Sequence, residues 1–433
     1  MNRASTCRWR AASPGWIGST SLKVAAILLL AMQPAAAEKK YGPGVTDTEI
    51  KIGQTTPYSG PASSFGATSR AIVAYFKMIN SDGGINGRKI NLISLDDAYS
   101  PPKTMEQTRK LVEGEEVLAI AGTLGTPGNM TIAKYLNSRG VPQLMGMSGS
   151  PKLNDPEHLP WTTTWYASQT VEGQIYAQYV LRTKPEAKIA VLYQNDDYGK
   201  GYLTAFKAGL GDKASMVVAE ANYDITYPTI DSELVRLATS GADTIFYASS
   251  PKFTAQAIRK AHEIGWKPQQ IVITASSQTE ATLKPAGFQA ATGLVTSLFQ
   301  KVPNDPTWAG DNSMIEFQAF MKQWAPGEAG DLFLSATGYS WAQTLAEVLR
   351  KCGEDLTREN LQKQVTSLSG FHPSLFIDGV TLSISPTDRT PWRKARMARF
   401  NGTNWEPFGD IVTIEDDKSK SPSGDFRPDC RVF

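Results

Sequence analysis

Two successive trains of short β-rich runs, each run followed by a helical pattern, constrain this chain more than any other feature. Ile50–Gly53 reads as a strand, and Ile72, Val73, Phe76 and Ile79 then share one helical face at a 3.6-residue period. Gly83-Gly84 stops that helix, because glycine readily takes the left-handed conformation that ends helices. Further strands are predicted at Ile90–Leu95, Val117–Ala121 and Val141–Met145, with helices opening at Pro101-Pro102 and covering Gly128–Ser138. After a loop around Trp161–Tyr166 the rhythm restarts. Helices at Val171–Leu181, Gly199–Leu210, Thr229–Thr239 and Thr254–Ile264 alternate with strands at Lys188–Tyr193, Met216–Ala221, Thr244–Tyr247 and Ile271–Thr274. Such alternation is the signature of a parallel sheet covered by helices on both faces. Two trains of similar size predict an α/β protein with two similar lobes, each built on its own sheet.

The remaining stretch, 293–410, holds an aromatic helix around Ser335–Leu349 and β-like runs near Leu375–Ile384 and Ala398–Phe400. Neither part completes a lobe, so the chain is expected to cross back between the lobes through several hinge strands. The 433 residues exceed one comfortable hydrophobic core, which agrees with two.

Ahead of the first strand, Arg3, Arg8, Arg10 and Lys23 make a basic, acid-free start to an apolar run from Val24 to Met32. Ala35-Ala36-Ala37 then precede Glu38. This pattern predicts a secretory signal peptide, residues 1–37, cleaved near Ala37; the plainer reading is a mobile arm. The apolar run is shorter than the roughly 20 residues that a membrane span needs. Losing these residues would take the formal charge from +2 to slightly negative. A near-neutral chain without basic clusters has no electrostatic footprint for nucleic acid. Cys7 would leave with the leader, while Cys352 and Cys430 remain, an even pair in an oxidising compartment. They are either a disulfide or two free thiols.

Ligands of open parallel sheets bind beyond the carboxyl ends of the strands, where helix N-termini point. Thr56–Gly66, Asp96–Pro101, Gly122–Gly128 and Gly146–Pro151 are the loops at that end of the first lobe. Gln194–Gly199, Asn222–Pro228, Ala248–Lys252 and Ala275–Glu280 are those of the second. Two sets facing each other would make a cleft. In Gly122–Gly128, glycines let backbone N–H groups approach a ligand, and the following helix offers unpaired donors that favour a carboxylate. Met147-Ser148-Gly149-Ser150 adds hydroxyls from the neighbouring loop. Each stretch alone is ordinary turn chemistry; together, after adjacent strands, they mark an anion site. Tyr58, Phe65, Trp165, Tyr166 and Tyr198 lie in or beside these loops, where rings either sandwich a ligand or simply pack the core.

Enzymatic signatures are poor. No G-x-G-x-x-G follows the first strand, and Gly122–Gly128 lacks the Lys-Ser/Thr pair of a phosphate-binding loop. Ser150 stands where a nucleophile elbow needs its last glycine. The three histidines, His158, His262 and His372, lack metal-ligand spacing. Asp96-Asp97 is either a carboxylate pair or a helix cap. No catalysis, cofactor or metal is expected.

Thr56-Pro57-Tyr58-Ser59-Gly60-Pro61…Gly66 is followed by Ile79-Asn80-Ser81-Asp82-Gly83-Gly84-Ile85-Asn86-Gly87-Arg88 and by Asp96-Asp97-Ala98-Tyr99-Ser100-Pro101. Asp197-Tyr198-Gly199-Lys200-Gly201 and Ala257-Ile258-Arg259-Lys260-Ala261…Gly265 come next. In this order the segments resemble the leucine/isoleucine/valine-type periplasmic binding proteins of ABC transporters, over about Ile50 to Phe408. The resemblance implies two Rossmann-like lobes joined by three crossovers, closing on ligand by hinge motion. Lobe one is expected from 45–166 plus 297–373, lobe two from 167–296 plus 374–412, and a tail from 413–433. It also implies a monomer in the periplasm that delivers a small molecule to a membrane permease with a cytoplasmic ATPase.

For the site, the resemblance implies that Thr126 binds the ligand carboxylate through its hydroxyl and N–H. Met147, Ser148 and Gly149 match the loop that binds both ends of an amino acid, with Gly149 where a threonine is common. Phe65 matches an aromatic wall and Tyr198 a lobe-two tyrosine; Tyr58, Tyr166, Ser250, Ser276 and Ser277 complete the expected ligand-binding set. Amino-acid binders place a carboxylate where this chain has Ser276, and the nearest acid is Glu280. A buried ammonium needs a paired charge. The expected ligand is therefore a carboxylate without an ammonium, with an aromatic or other hydrophobic acid favoured. The alternatives are an amino acid held through Glu280, and an exported sensor with no transport role.

Overall fold

The computed structural model describes residues 39–328 and 332–414. The first sheet has strands β1 (Glu49–Thr56), β2 (Lys89–Asp96), β3 (Ala119–Ala121), β4 (Gln143–Gly146) and β5 (Thr162–Thr164). Their order is β2-β1-β3-β4-β5 and every pairing is parallel. Helices α1 (Gly66–Ser81), α2 (Pro101–Arg109) and α3 (Thr126–Ser138) make the connections. β3 is a fully buried Ala-Ile-Ala, the continuous apolar run of a parallel strand covered on both faces. β5 falls where a loop was expected. Its three threonines are buried, and their hydroxyls bond within the sheet: Thr163 Oγ1 accepts from the Met145 N–H at 2.9 Å, and Thr162 Oγ1 donates to Gln143 Oε1 at 2.9 Å.

The second sheet follows from α4 (Gln169–Thr183) onward. It contains β6 (Ile189–Gln194), α5 (Asp197–Leu210), β7 (Val217–Tyr223), α6 (Asp231–Ala238), β8 (Thr244–Ala248), α7 (Pro251–Glu263), β9 (Gln269–Val272) and β10 (Val295–Leu298). After α8 (Asn312–Trp324) and α9 (Leu332–Cys352), the late strands β11 (Lys394–Phe400) and β12 (Trp405–Thr413) complete it. The order is β12-β11-β10-β9-β8-β6-β7. β11 runs antiparallel to both neighbours, so this sheet is mixed where a purely parallel one was expected.

The chain crosses between the sheets three times, after β5, after β10 and before β11. Between the second and third crossings it returns to the first core. There α9 lies against α1 so closely that a Cβ at Gly338 would meet the Thr68 carbonyl oxygen at 2.1 Å. Residues Leu375 to Trp392 also pack into the first core. Leu375, Phe376, Val380 and Leu382, which fall after the boundary expected at 374, share one buried cluster with Trp165 and the first sheet. The predicted β-run at Leu375–Ile384 shrinks to Leu382–Ile384.

Cys352 is buried at the end of α9 and makes no disulfide among the described residues; Cys430 lies outside them, as do residues 1–37. Among the described residues no helix is long and apolar enough to cross a membrane.

Candidate functional site

The carboxyl ends of both sheets open onto one cavity. Phe65, Tyr99, Gly125, Thr126, Met147, Ser148 and Gly149 line it from the first sheet's loops, and Tyr166 from the first crossover. Tyr198, Tyr202, Ile225, Ser250 and Ala275 face them from the second, while α9 adds Leu334 and Thr337. Most of the lining is apolar. Polar groups gather at particular points, the usual design of a small-molecule site.

One such point is the start of α3. Gly125 precedes it with φ of 102°, a conformation suited to glycine, and a Cβ there would meet the Tyr99 ring at 2.5 Å. Its N-cap supplies no side-chain cap, and since Pro127 has no N–H, the first turn offers the N–H groups of Thr126 and Gly128 with the helix's partial positive charge. Thr126 Oγ1 and Ser148 Oγ lie 2.8 Å apart, both buried. At Gly149, where the resemblance implied a threonine, nothing larger fits: a Cβ would come within 1.8 Å of the Ala167 oxygen.

Aromatic rings make much of the wall. Tyr99 and Ala98 take left-handed backbone angles, with φ of 60° and 50°. Such strain costs on the order of 1–3 kcal/mol per residue and persists only when neighbours enforce it. Here Asp97 accepts from the Tyr99 N–H at 2.9 Å and from Thr104 Oγ1 at 3.0 Å. Asp96 accepts from the Ser59 N–H and hydroxyl, the Ala98 N–H and Lys103. The Asp96-Asp97 pair is thus the frame of a turn. Burial pushes the Asp97 carboxyl up; for Asp96 burial is outweighed by the Ser59 and Lys103 hydrogen bonds, which hold it down.

Tyr198 and Tyr202, one helical turn apart on α5, meet edge to face with centroids 5.4 Å apart. Burial raises Tyr99, Tyr166, Tyr198 and Tyr202 well above the ordinary phenol range, so all four present neutral phenols. The Tyr198 hydroxyl is buried with no hydrogen-bond partner among the described residues. Ser250 N–H donates to Tyr223 Oη at 2.9 Å, which fixes the start of α7.

Eight of the eleven expected ligand-binding residues line this cavity: Phe65, Thr126, Met147, Ser148, Gly149, Tyr166, Tyr198 and Ser250. Three do not. The Tyr58 hydroxyl bonds Ser94 Oγ at 2.7 Å and its ring lies under Arg70. Ser276 Oγ donates to the Ser249 oxygen at 2.6 Å and Ser277 Oγ to the Thr274 oxygen at 2.9 Å. Both serines sit in and after a tight turn, Thr274–Ser276, where short hydroxyl side chains close on nearby backbone. Ala275 faces the cavity in their place. Glu280 pairs with Lys284 at 3.0 Å and lines a separate groove, so it brings no carboxylate to the site.

Tyr99, Tyr202, Ile225, Leu334 and Thr337 were not foreseen. Tyr202 had a legible signal in its spacing from Tyr198, and Tyr99 in its loop. His158 sits with Asp155 on the surface, and His372 bonds the Val380 oxygen. Among the described residues no group of three or more His, Cys, Asp or Glu is placed to hold a metal ion.

Two facing sheets with a cavity at their carboxyl ends are the architecture of a ligand-binding clamp, and the chain belongs to the periplasmic binding protein family, which matches residues 49–404. It is similar to Leu/Ile/Val-binding protein homolog 3 of Brucella melitensis, 25% identical over 221 residues, which is 50% of this chain and 59% of that protein. That match thus spans less than two thirds of the relative's length. Leu/Ile/Val-binding protein homolog 7 of Brucella abortus is 24% identical over 336 residues, 75% of this chain and 82% of that one. Among solved structures, a branched chain amino acid ABC transporter protein of Thermus thermophilus with bound valine superposes with a TM-score of 0.77 at 16% identity, covering 86% of this chain and 98% of that one. A fatty acid ABC transporter substrate-binding protein of Thermomonospora curvata gives 0.70 at 21% identity, covering 86% and 95%.

Proposed function

We propose that this protein is the periplasmic solute-binding component of an ABC uptake transporter, and that its two lobes close on a small carboxylate-bearing ligand. The observation that carries this reading is the uncapped start of α3 beside the Thr126–Ser148 hydroxyl pair, set into an otherwise apolar, tyrosine-lined cavity. The ligand carboxylate sits at that helix end, against N–H donors and two hydroxyls. Phe65, Tyr99, Tyr166 and Tyr198 enclose its body. The loop after β9 offers Ala275 and no acid, which favours an aromatic or other hydrophobic acid over an amino acid whose ammonium needs a paired charge. The names of the relatives support delivery to a membrane permease and ATPase. They span amino acids and fatty acids, and so leave the cargo to the cavity's own chemistry. Export and removal of residues 1–37, a monomeric state, and ligand contacts from Phe65, Thr126, Met147, Ser148, Gly149, Tyr166, Tyr198 and Ser250 belong to the same reading.

A thermal-shift screen of the protein against amino acids and against aromatic and aliphatic monocarboxylates tests it. A ligand at 100 times its Kd stabilises the folded state by about 2.7 kcal/mol. Stabilisation by an aromatic acid and not by leucine or valine is expected. Stabilisation by leucine or valine and by no simple acid would return the protein to the amino-acid binders, and no stabilisation by any carboxylate removes the anion-site reading.

A further inference from the structure

The hydroxyls around the cavity differ in what they bond. Those of Thr126 and Ser148 bond each other, and Ser250 Oγ lies 3.1 Å from Tyr223 Oη. Thr337 Oγ1 donates to the Phe333 oxygen at 3.0 Å, and Tyr202 Oη donates to the buried Glu172. The Tyr198 hydroxyl stands apart: its oxygen is buried, and no group among the described residues is its hydrogen-bond partner. Buried polar atoms in folded proteins are nearly always paired, because an unmet donor gives up water and gains nothing in return. An exception asks for a reason, and a place in the wall of a ligand cavity supplies one: the partner arrives with the ligand.

The ring that carries this hydroxyl is held in place. Asp196 caps α5 and accepts from the Tyr198 N–H at 3.0 Å and the Gly199 N–H at 3.2 Å. Gln169 Nε2 donates to the Tyr198 backbone oxygen at 3.3 Å. The ring meets Tyr202 edge to face, and Tyr202 is itself anchored through its hydroxyl to Glu172. A donor fixed before the ligand arrives needs little ordering on binding. Burial keeps the phenol protonated, so it has a proton to offer. It bonds neither Thr126 nor Ser148, and so stands outside the hydroxyl pair assigned to the ligand carboxylate. Resting on the reading above, we infer that the ligand carries, besides its carboxylate, a hydroxyl oxygen on its body that accepts from Tyr198. The cargo is then a hydroxy-substituted aromatic acid and not a hydrocarbon one, and Tyr198 is the residue that tells them apart. Its neighbour Tyr202, with its hydroxyl bonded to Glu172, offers the ligand only a ring.

Paired isosteres test the inference by titration calorimetry: 3- and 4-hydroxybenzoate, each against the methylbenzoate substituted at the same position. The members of a pair have nearly one shape and differ in whether the ring bears an oxygen. At least one hydroxybenzoate is expected to bind the wild type roughly tenfold or more tightly than its methyl partner, because a site built around a hydrogen bond rejects the analogue that leaves its donor unpaired. Tyr198→Phe should bring that pair to within about threefold of each other. Equal affinities within both pairs for the wild type overturn the inference, and so does a preference that survives undiminished in Tyr198→Phe. A ligand-free measurement adds a second check. The Phe variant deletes a hydroxyl that has no protein partner, so its melting temperature should equal or exceed that of the wild type. A clearly lower one would show that the hydroxyl is bonded within the protein, which also overturns the inference. If no benzoate of either kind binds the wild type, the carboxylate reading of the cavity falls and this inference with it, an outcome distinct from binding without discrimination.

Discussion

The indole Nε1 of Trp392 donates to the backbone oxygen of Trp165 at 3.1 Å, which ties the third crossover segment to the first. Phe299, on the second crossover, packs on both rings, with centroids 4.6 Å from Trp392 and 6.2 Å from Trp165. The three crossovers thus share one aromatic node. Tyr166, beside that node, lines the cavity and meets Phe299 at 5.9 Å, so ligand and hinge share a neighbour.

Trp392→Ala should lower stability by about 3–5 kcal/mol, the usual cost of deleting a buried large aromatic. Trp392→Phe should cost less, because it keeps a ring in the node and loses the bond to Trp165. Urea unfolding monitored by far-ultraviolet circular dichroism measures both. Equal losses would show that the hydrogen bond, and not the packing, holds the crossovers together.

Thr126→Val and Ser148→Ala should each weaken binding of a carboxylate ligand by about tenfold or more, since hydrogen bonds to charged groups contribute roughly 1.5–3 kcal/mol. Calorimetry with the best acid from the thermal-shift screen is the measurement. Unchanged affinity in both variants would move the anion site away from α3.

Gly149→Ala places a methyl where only 1.8 Å separates it from the Ala167 oxygen, so backbone must move. A loss of about 1–3 kcal/mol is expected from overpacking of this kind, read as a lower melting temperature. Gly149→Thr should be worse than Gly149→Ala. A threonine variant as stable as the parent would mean that the loop relaxes freely.

Burial, with the charge of Asp355 adding to it, pushes the Cys352 thiol up to about 12. A thiol raised above its unfolded value holds its proton better in the folded state. Its contribution to stability is complete below about pH 9 and is lost as pH rises toward 12. Native protein at pH 8 should therefore leave Cys352 unmodified by iodoacetamide, as shown by peptide mapping, while denatured protein is modified. Rapid native labelling at this position would contradict the burial.

The alternating trains and the unguarded start of α3 were legible because strand and helix periods and glycine placement are local properties. The fold's late return was legible only as an incompleteness of Gly293–Asp410. β5 was hidden because Thr162-Thr163-Thr164 has no apolar alternation; its hydroxyls find partners that only the folded sheet supplies. Ser276 and Ser277 were misread for the reverse reason. Their loop was correctly placed at a strand's carboxyl end, yet the tight turn after Ile273 spends their hydroxyls on backbone. Tyr99 escaped because its aim depends on a left-handed backbone angle enforced by Asp97, a tertiary constraint on a residue of unremarkable type.

The contact of α9 with α1 has a consequence for synthesis. Ile72, Tyr75 and Phe76 on α1 are buried in the finished first core, where Tyr75 meets Tyr339 of α9 at 5.2 Å. The ribosome makes α1 early and α9 only after the whole run from β6 to β10. At roughly 5–20 residues per second the delay is on the order of ten seconds or more. Throughout it, the apolar stripe of α1 waits without its partner while five consecutive strands of the second sheet emerge behind it. The lobe begun first is therefore the one whose burial must come late, and that bare stripe is the place where a nascent chain of this topology is most exposed to aggregation or to a chaperone's grip.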